Sequence, residues 1–485
     1  MRLDQLTSGL TDHTVVGDVS TEITGISTNT QTLSRGEAYV ALIRVRDGHD
    51  FVRQAVEAGA SAIVVDRKVD VCVPQVVVPS TDNALSEVAL TFYDRPADKL
   101  RICGVTGTNG KTTTTYLIYA VLAATGIPTG LLGTVENRIG SRCVGSANTT
   151  PEAHELQRLL REMVEAGCET VVMEASSHGL SLKRLNGIKF DVAVYTNLTR
   201  DHLDFHKTFA EYKAAKATLF ENLDPTAHAI VNVDDDSVDR MIQNSPARIV
   251  GYGQDASADF RIVSFDTEFQ GSRVTVESQT ELITADLSIT GDFHQYNVAA
   301  ALAACKVMGV ETGTMIRALR DVQVPGRFEG IDAGQPFGVF VDYAHTPDGL
   351  INALSAGRRL ARNRLISVFG CGGDRDRGKR PEMGRASAIL ADFSVVTSDN
   401  PRTEDQDVII GEILPGLGDA PYRVEADRGK AIEIALDEAQ AGDLVVIAGK
   451  GHEDYQVIGR ESIQFDDREV ARALLEKLGY KSKDA

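Results

Sequence analysis

Gly104-Val105-Thr106-Gly107-Thr108-Asn109-Gly110-Lys111-Thr112-Thr113 continues the apolar run Leu100-Arg101-Ile102-Cys103 and opens a stretch of helical period from Thr112 to Ala124. A strand, a glycine-rich loop and a helix, in that order, form the βα unit of a parallel sheet. There the loop amides and the helix N-terminus face a phosphate, Lys111 reaches the β/γ oxygens, and the Thr112 hydroxyl ligates Mg²⁺. The spacing departs from the common phosphate loop, because a glycine stands six rather than five residues before Gly110. A plain glycine-rich βα turn is the competing reading; Gly-Lys-Thr in strand-to-helix context favours a nucleotide loop, with Gly107, Thr108, Asn109, Gly110, Lys111, Thr112 and Thr113 as its candidate residues.

Outward from this loop the chain separates into three blocks. Residues 1–99 carry short strand-like runs, Ala38 to Leu42 and Ser61 to Val65, around a helical stretch from Phe51 to Ala58, and read as a small α/β domain. Residues 100–328 alternate strands (Thr170 to Met173, Asp191 to Tyr195, Ala229 to Val233) with helices, the pattern of a doubly wound domain that ends near Val324-Pro325-Gly326-Arg327. Residues 329–485 alternate again, with strands at Gly338 to Asp342, Arg364 to Phe369, Asp392 to Val396 and Asp443 to Ala448, which predicts a second, Rossmann-like α/β domain.

Composition narrows the function. The 485 residues hold 50 Lys+Arg against 69 Asp+Glu, a net charge of −19 that repels nucleic-acid backbones and anionic lipid surfaces, so anionic ligands must be met by local positive groups. No apolar run approaches the roughly 18–20 residues that span a bilayer, and Met1 to Leu6 opens no signal-peptide core, so the expected location is cytoplasmic. The six cysteines are scattered without a C-x-x-C pair, which excludes a zinc or disulfide framework as the organising element.

Further polar positions follow the strands. Val171-Val172-Met173-Glu174 ends in a carboxylate at the edge where parallel sheets bind ligands, making Glu174 a candidate Mg²⁺ ligand. Thr196-Asn197-Leu198-Thr199-Arg200-Asp201-His202-Leu203-Asp204 is dense in polar groups and precedes a helix containing Lys216. Taken singly, His202 reads as a structural histidine and Lys216 as a solvated helix lysine.

Taken together, these segments resemble the Mur ligases, ATP-dependent amide-forming enzymes of peptidoglycan precursor synthesis. The likeness runs through Thr106 to Thr113, Glu174-Ala175-Ser176-Ser177-His178-Gly179 and Thr196 to Asp204, and on to Asp342-Tyr343-Ala344-His345-Thr346-Pro347 and Gly449-Lys450-Gly451-His452-Glu453, across all three blocks. It implies that Lys216 is carbamylated (N6-carboxylysine), which turns a repelled ammonium into an oxygen ligand, and that Thr112, Glu174, His202 and Lys216 hold or approach two Mg²⁺ ions. Lys111, Glu174, His202 and Lys216 are then the catalytic set. Asn297, Arg327, Asp342 and His345 join the ATP site, although relatives usually carry Asn where this chain has His294.

The same resemblance implies the substrates. UDP-N-acetylmuramoyl-L-Ala-D-Glu is expected on the first block near Ser27 and Thr30, where this chain has Asn29-Thr30-Gln31 in place of the usual Asp-Ser-Arg, and on Asn148, Thr149, Thr150, Ser176 and Arg184. A glutamine common two positions before that arginine is Leu182 here. The third-block pattern Asp399-Asn400-Pro401-Arg402, with Arg375, Gly449 and Glu453, resembles enzymes that add meso-diaminopimelate, whose second carboxylate suits an arginine fork. A β-turn alone also explains Asp-Asn-Pro-Arg, and a turn can present the arginine. Lysine or ornithine as the added amino acid, a folylpolyglutamate synthase and a non-catalytic nucleotide-binding regulator are the alternatives. The expected protein is a monomer with ATP and Mg²⁺ as cofactors, small-molecule substrates, and no nucleic-acid partner.

Overall fold

The computed structural model describes residues 1–481, and the last four residues of the third block lie outside them. Three main sheets follow one another along the chain. The first has five strands in the order Thr14–Val16, Gln75–Val77, Ala62–Val65, Ala38–Val40 and Ile26–Ser27. Leu3, Val40, Val64 and Val88 sit in its core, and the Val52–Glu57 helix lies on the opposite face from the Thr81–Phe92 helix.

The second sheet has eleven strands around the phosphate-loop strand Arg101–Thr106, which pairs in parallel with Thr170–Glu174 on one side and Val192–Tyr195 on the other. All three are buried almost throughout, as a parallel sheet covered on both faces requires. One face is covered by the Lys111–Ala123 and His294–Val307 helices, the other by Ala153–Glu165 and Phe209–Glu221. The run Val298 to Cys305 is fully buried and rich in alanine, small enough for its helix to lie close against its neighbours. The sheet also extends beyond its parallel core. Phe260–Glu268, Gly271–Ser278 and Leu282–Leu287 form an antiparallel meander at one edge, and Asn137–Ile139 with Arg142–Val144 a hairpin at the other.

The third sheet has six strands, with Leu365–Phe369 between Leu444–Ala448 and Phe393–Val396, all parallel. Its strand ends point their loops at the same cleft as the phosphate loop. Beneath it, Arg428 and Asp467, both fully buried, form a two-bond pair at 2.7 Å each; Arg428 also donates to the Ala448 carbonyl at 2.9 Å, tying the first residues of two helices to a strand end. Breaking such a pair from one side leaves an uncompensated buried charge. Arg428→Met should therefore lower the stability of the transition that contains this sheet by about 3–5 kcal/mol, measured by chemical denaturation; a loss within experimental error would show the pair to be energetically idle.

Candidate active site

The phosphate loop takes its shape from the segment after the neighbouring strand. Gly107 has φ +149°, and a Cβ there would lie 1.9 Å from Thr196 Oγ1, so only glycine lets the two strands' exits approach. Asn109 N–H donates to Asn197 Oδ1 at 2.9 Å, while Thr196 Oγ1 and Asn197 Nδ2 donate to the Asn109 carbonyl at 2.6 and 3.1 Å. Thr108 Oγ1 meets Tyr212 OH at 2.9 Å and accepts from Thr199 N–H at 3.0 Å. The loop is thereby held from outside before any phosphate binds it.

Lys111 folds back over this loop, its ammonium donating to the carbonyls of Gly107 and Thr108 at 3.1 and 2.9 Å. Lys216 lies beneath it, fully buried, donating to the same Gly107 carbonyl at 2.5 Å. Burial pushes the pKa of both lysines down, that of Lys216 well below its ordinary value, and the nearby Lys111 charge adds to the shift at Lys216.

Glu174 is 1 % exposed and accepts from Thr112 Oγ1 at 3.1 Å, from Thr134 N–H at 2.8 Å and from Thr134 Oγ1 at 3.1 Å. From the linker between the second and third sheets, Arg327 donates to the same Thr112 hydroxyl at 3.0 Å and stacks over the Tyr343 ring at 4.7 Å. Asp342 accepts from Phe328 N–H at 2.7 Å; burial raises its pKa, against the lowering effect of Arg327.

Two adjoining cavities share this floor. The first, of about 480 Å³, is lined by Thr108 to Thr113, Thr149, Glu174, His202 and Asn297, with Arg327, Asp342 and His345 from across the cleft. The second, of about 660 Å³, is lined by Arg375, Asp399, Asn400, Arg402, Gly449 and Glu453. His202 and His345 line both, so the two spaces meet there. Glu453 is oriented from behind, accepting on Oε2 from Asn400 Nδ2 at 2.9 Å and from the fully buried Lys450 at 3.1 Å.

Other expected positions lie elsewhere. Thr150 Oγ1 donates to the Glu174 carbonyl and accepts from Ser176 N–H, and Ser176 Oγ caps a short helix by accepting from Gly179 N–H. The Arg184 guanidinium is taken up by the Thr150 carbonyl and Glu152. Ser27 Oγ is engaged with the Asn29 backbone, and neither Ser27, Thr30 nor Asn148 is among the residues lining the two cavities. Pro401 shapes the turn that carries Arg402. Sequence reasoning passed over Thr134, which holds Glu174, and Tyr343, which holds Arg327; the available signals were a Gly-Thr pair after an apolar strand and a tyrosine beside Asp342.

Among the described residues no three His, Cys, Asp or Glu side chains converge as a ready metal cluster. A buried carboxylate beside a threonine hydroxyl at the foot of a phosphate loop nevertheless fits Mg²⁺, which takes one or two protein oxygens and completes its shell with phosphate and water. The arrangement can thus hold a nucleoside triphosphate in the first cavity, beside the junction with the second.

Residues 105–305 match the family profile described as Mur ligase middle domain, and residues 326–451 that described as Mur ligase, glutamate ligase domain. A relative from Bacillus cereus named UDP-N-acetylmuramoyl-L-alanyl-D-glutamate--2,6-diaminopimelate ligase is 42 % identical over 480 residues, covering 97 % of this chain and 98 % of its own. One of the same name from Geobacillus thermodenitrificans is 46 % identical over 440 residues, covering 89 % and 90 %. A solved structure titled as a UDP-N-acetylmuramoyl-L-alanyl-D-glutamate--2,6-diaminopimelate ligase superposes with a TM-score of 0.68 at 33 % identity, over 99 % of this chain and 100 % of that one. With likeness of this extent running through the phosphate loop and both cavities alike, the chain belongs to the Mur ligase family.

Proposed function

We propose that the protein is an ATP-dependent ligase that joins meso-2,6-diaminopimelate to UDP-N-acetylmuramoyl-L-alanyl-D-glutamate in cytoplasmic peptidoglycan precursor synthesis, acting as a monomer. The observation that carries this reading is the meeting, at His202 and His345, of a phosphate-loop cavity with a second cavity that presents Arg402 and Glu453. The names of the relatives that match nearly the full chain support the same substrates. In this reading residues 1–99 hold the uridine nucleotide, 100–328 the ATP and 329–485 the amino acid. Ser27 and Thr30 face the nucleotide sugar; Asn148, Thr149, Thr150, Ser176 and Arg184 line its path toward the cleft.

The chemistry has two steps. An oxygen of the substrate's terminal carboxylate attacks the γ-phosphorus of ATP, the bond to ADP breaks, and an acyl phosphate forms. The amine nitrogen then attacks the acyl carbon, phosphate leaves, and the nitrogen gives up a proton. Two anions meet in the first step, so its barrier falls with the positive charge placed around the transferred group. Lys111 supplies this once it turns from the Gly107 and Thr108 carbonyls to the phosphates, and Arg327 reaches the same place from the linker. Thr112 and Glu174 would hold Mg²⁺, with His202 and Lys216 completing its surroundings. Bound there, the ion neutralises phosphate charge. Asn297 and Asp342 address the nucleoside side of the cleft.

Lys216 takes part as a carbamate in this reading. Its burial, with the nearby Lys111 charge, lowers the amine's pKa and so favours the neutral form, whose nitrogen bonds to the carbon of CO₂ and releases a proton. The product carries the oxygen charge that the ammonium would oppose. In the second cavity, the distal end of diaminopimelate bears both an ammonium and a carboxylate. Glu453 receives the first and the planar Arg402 fork the second, with Arg375 at the rim. Lysine, lacking that carboxylate, would leave a guanidinium unmatched.

Four outcomes are expected. With ATP, Mg²⁺ and the UDP-dipeptide, phosphate release and a new amide mass should appear with meso-diaminopimelate and not with L-lysine or L-ornithine; turnover with lysine alone would keep the ligase and discard the Arg402 account. Lys216→Ala should cut kcat by about 10²–10³-fold, as removal of one preorganised electrostatic group does, while ATP still binds by calorimetry; undiminished turnover would remove Lys216 from the mechanism. Chelation of divalent ions should stop phosphate release and added Mg²⁺ restore it. Arg402→Ala should raise KM for diaminopimelate by about 10–100-fold, the loss of one charged two-bond contact, with KM for ATP unchanged.

A further inference from the structure

Arg380 is fully buried and lines neither cavity, yet its two Nη atoms are spent on two carboxylates and a carbonyl. Nη1 donates to Glu412 at 2.6 Å and to Glu404 at 3.1 Å; Nη2 donates to Glu404 at 2.9 Å and to the Gly372 carbonyl at 3.3 Å. Glu404 accepts two more bonds, from Asp374 N–H at 2.6 Å and from Arg377 at 2.7 Å. In the opposite direction, the Asp374 carboxylate accepts from Thr403 N–H at 3.1 Å and Thr403 Oγ1 at 2.9 Å. The loops that leave strands Leu365–Phe369 and Phe393–Val396 are thus sewn together from both sides. Gly373 makes this possible, because a Cβ there would lie 1.8 Å from the Pro401 carbonyl oxygen.

Arg402 sits in the middle of this seam. Its Nη1 donates to the Gly373 carbonyl at 2.9 Å, and its backbone has φ +52°; Asp374, across the seam, has φ +54°. Left-handed backbone at residues other than glycine persists only where the surroundings over-determine it. On one side of Arg402 its backbone N–H donates to the Val457 carbonyl at 3.1 Å and its carbonyl accepts from Gly459 N–H at 2.7 Å; on the other, the Arg380–Glu404 and Asp374–Thr403 contacts flank the two residues. Burying the Arg380 charge against half-buried carboxylates is also a costly way to gain stability, and the better attested use of such a pair is to specify one geometry.

We propose that Arg380 and Glu404 are positioning residues for the amine substrate, a latch that fixes the Arg402 guanidinium where the distal carboxylate of diaminopimelate meets it. The proposal rests on the reading of Arg402 given above. Neither residue touches substrate; both act through the loop that bears Arg402. Arginine is required at 380 because one planar group must address Glu404, Glu412 and Gly372 at fixed angles, which a lysine ammonium cannot do. Glutamate is required at 404 because its four incoming bonds all come from donors, two from Arg380, one from Asp374 and one from Arg377. A glutamine would turn its own N–H groups toward some of them.

Steady-state kinetics of the full-length protein test this with E404Q, R380K, R402A and the double variant E404Q/R402A. E404Q and R380K should each raise KM for diaminopimelate by about 10–100-fold, the penalty of a displacement of up to 1 Å at a binding group, with KM for ATP unchanged. The double variant should be no worse than R402A, because Glu404 acts through Arg402. Should E404Q fail to fold, R380K carries the same comparison. Wild-type KM for diaminopimelate in both E404Q and R380K would overturn the latch, as would a parallel rise in KM for ATP or a full additional penalty in the double variant. If R402A itself leaves KM for diaminopimelate unaltered, the account of Arg402 fails and the latch loses its object; if R402A raises it and the latch variants do not, the latch alone fails.

Discussion

The site depends on the contact between the phosphate loop and the segment that leaves the next parallel strand. A loop that must wrap phosphate with its amides cannot also satisfy its remaining groups with its own backbone, and Thr196, Asn197 and Thr199 satisfy them instead. The same segment continues directly into Asp201 and His202 at the cavity floor. The shape of the nucleotide site and the placement of the polar groups beside it are therefore one structural fact. A parallel pair of strands suits this purpose because both exits emerge at the same edge of the sheet.

That geometry explains which parts were legible in the sequence. Gly107, Gly110 and Lys111 stand in a pattern that a strand-to-helix phosphate loop demands, and the buried parallel strands appear as short apolar runs with sharp ends. The antiparallel meander from Phe260 to Leu287 was not legible in the same way. Its strands are half exposed at a sheet edge, the first loses its alternation at a register shift between Ile262 and Ser264, and no loop chemistry marks them.

The side chains show a similar division. Thr134 and Tyr343 hold Glu174 and Arg327 through contacts between residues 40 and 16 positions apart in the chain, and no local spacing announces such pairs. Arg184 is another case. As a sequence position it offers a guanidinium to a ligand, and the fold brings the Thr150 carbonyl and Glu152 to its two Nη atoms, contacts with residues 34 and 32 positions away that no local spacing announces. The first block is the least legible because its motif is neutral, and turn residues and ligand residues there have the same composition.

The linker between the second and third sheets has a consequence for altering this protein. Arg327 rests on the Thr112 hydroxyl, while its neighbour Gly326 packs so tightly on the Gly451–His452 backbone that a Cβ would come within 2.0 Å of the His452 nitrogen. The turn bearing Glu453 and the arginine at the phosphate loop therefore lean on opposite ends of one dipeptide. Enlarging the second cavity from the Gly449–Glu453 side would press on Gly326 and through it on Arg327 at the phosphate loop, so the two cavities could not be reshaped separately. The wall formed by residues 399–402 hangs from a different strand but leans on the same turn, because Asn400 donates to Glu453 and accepts from Lys450.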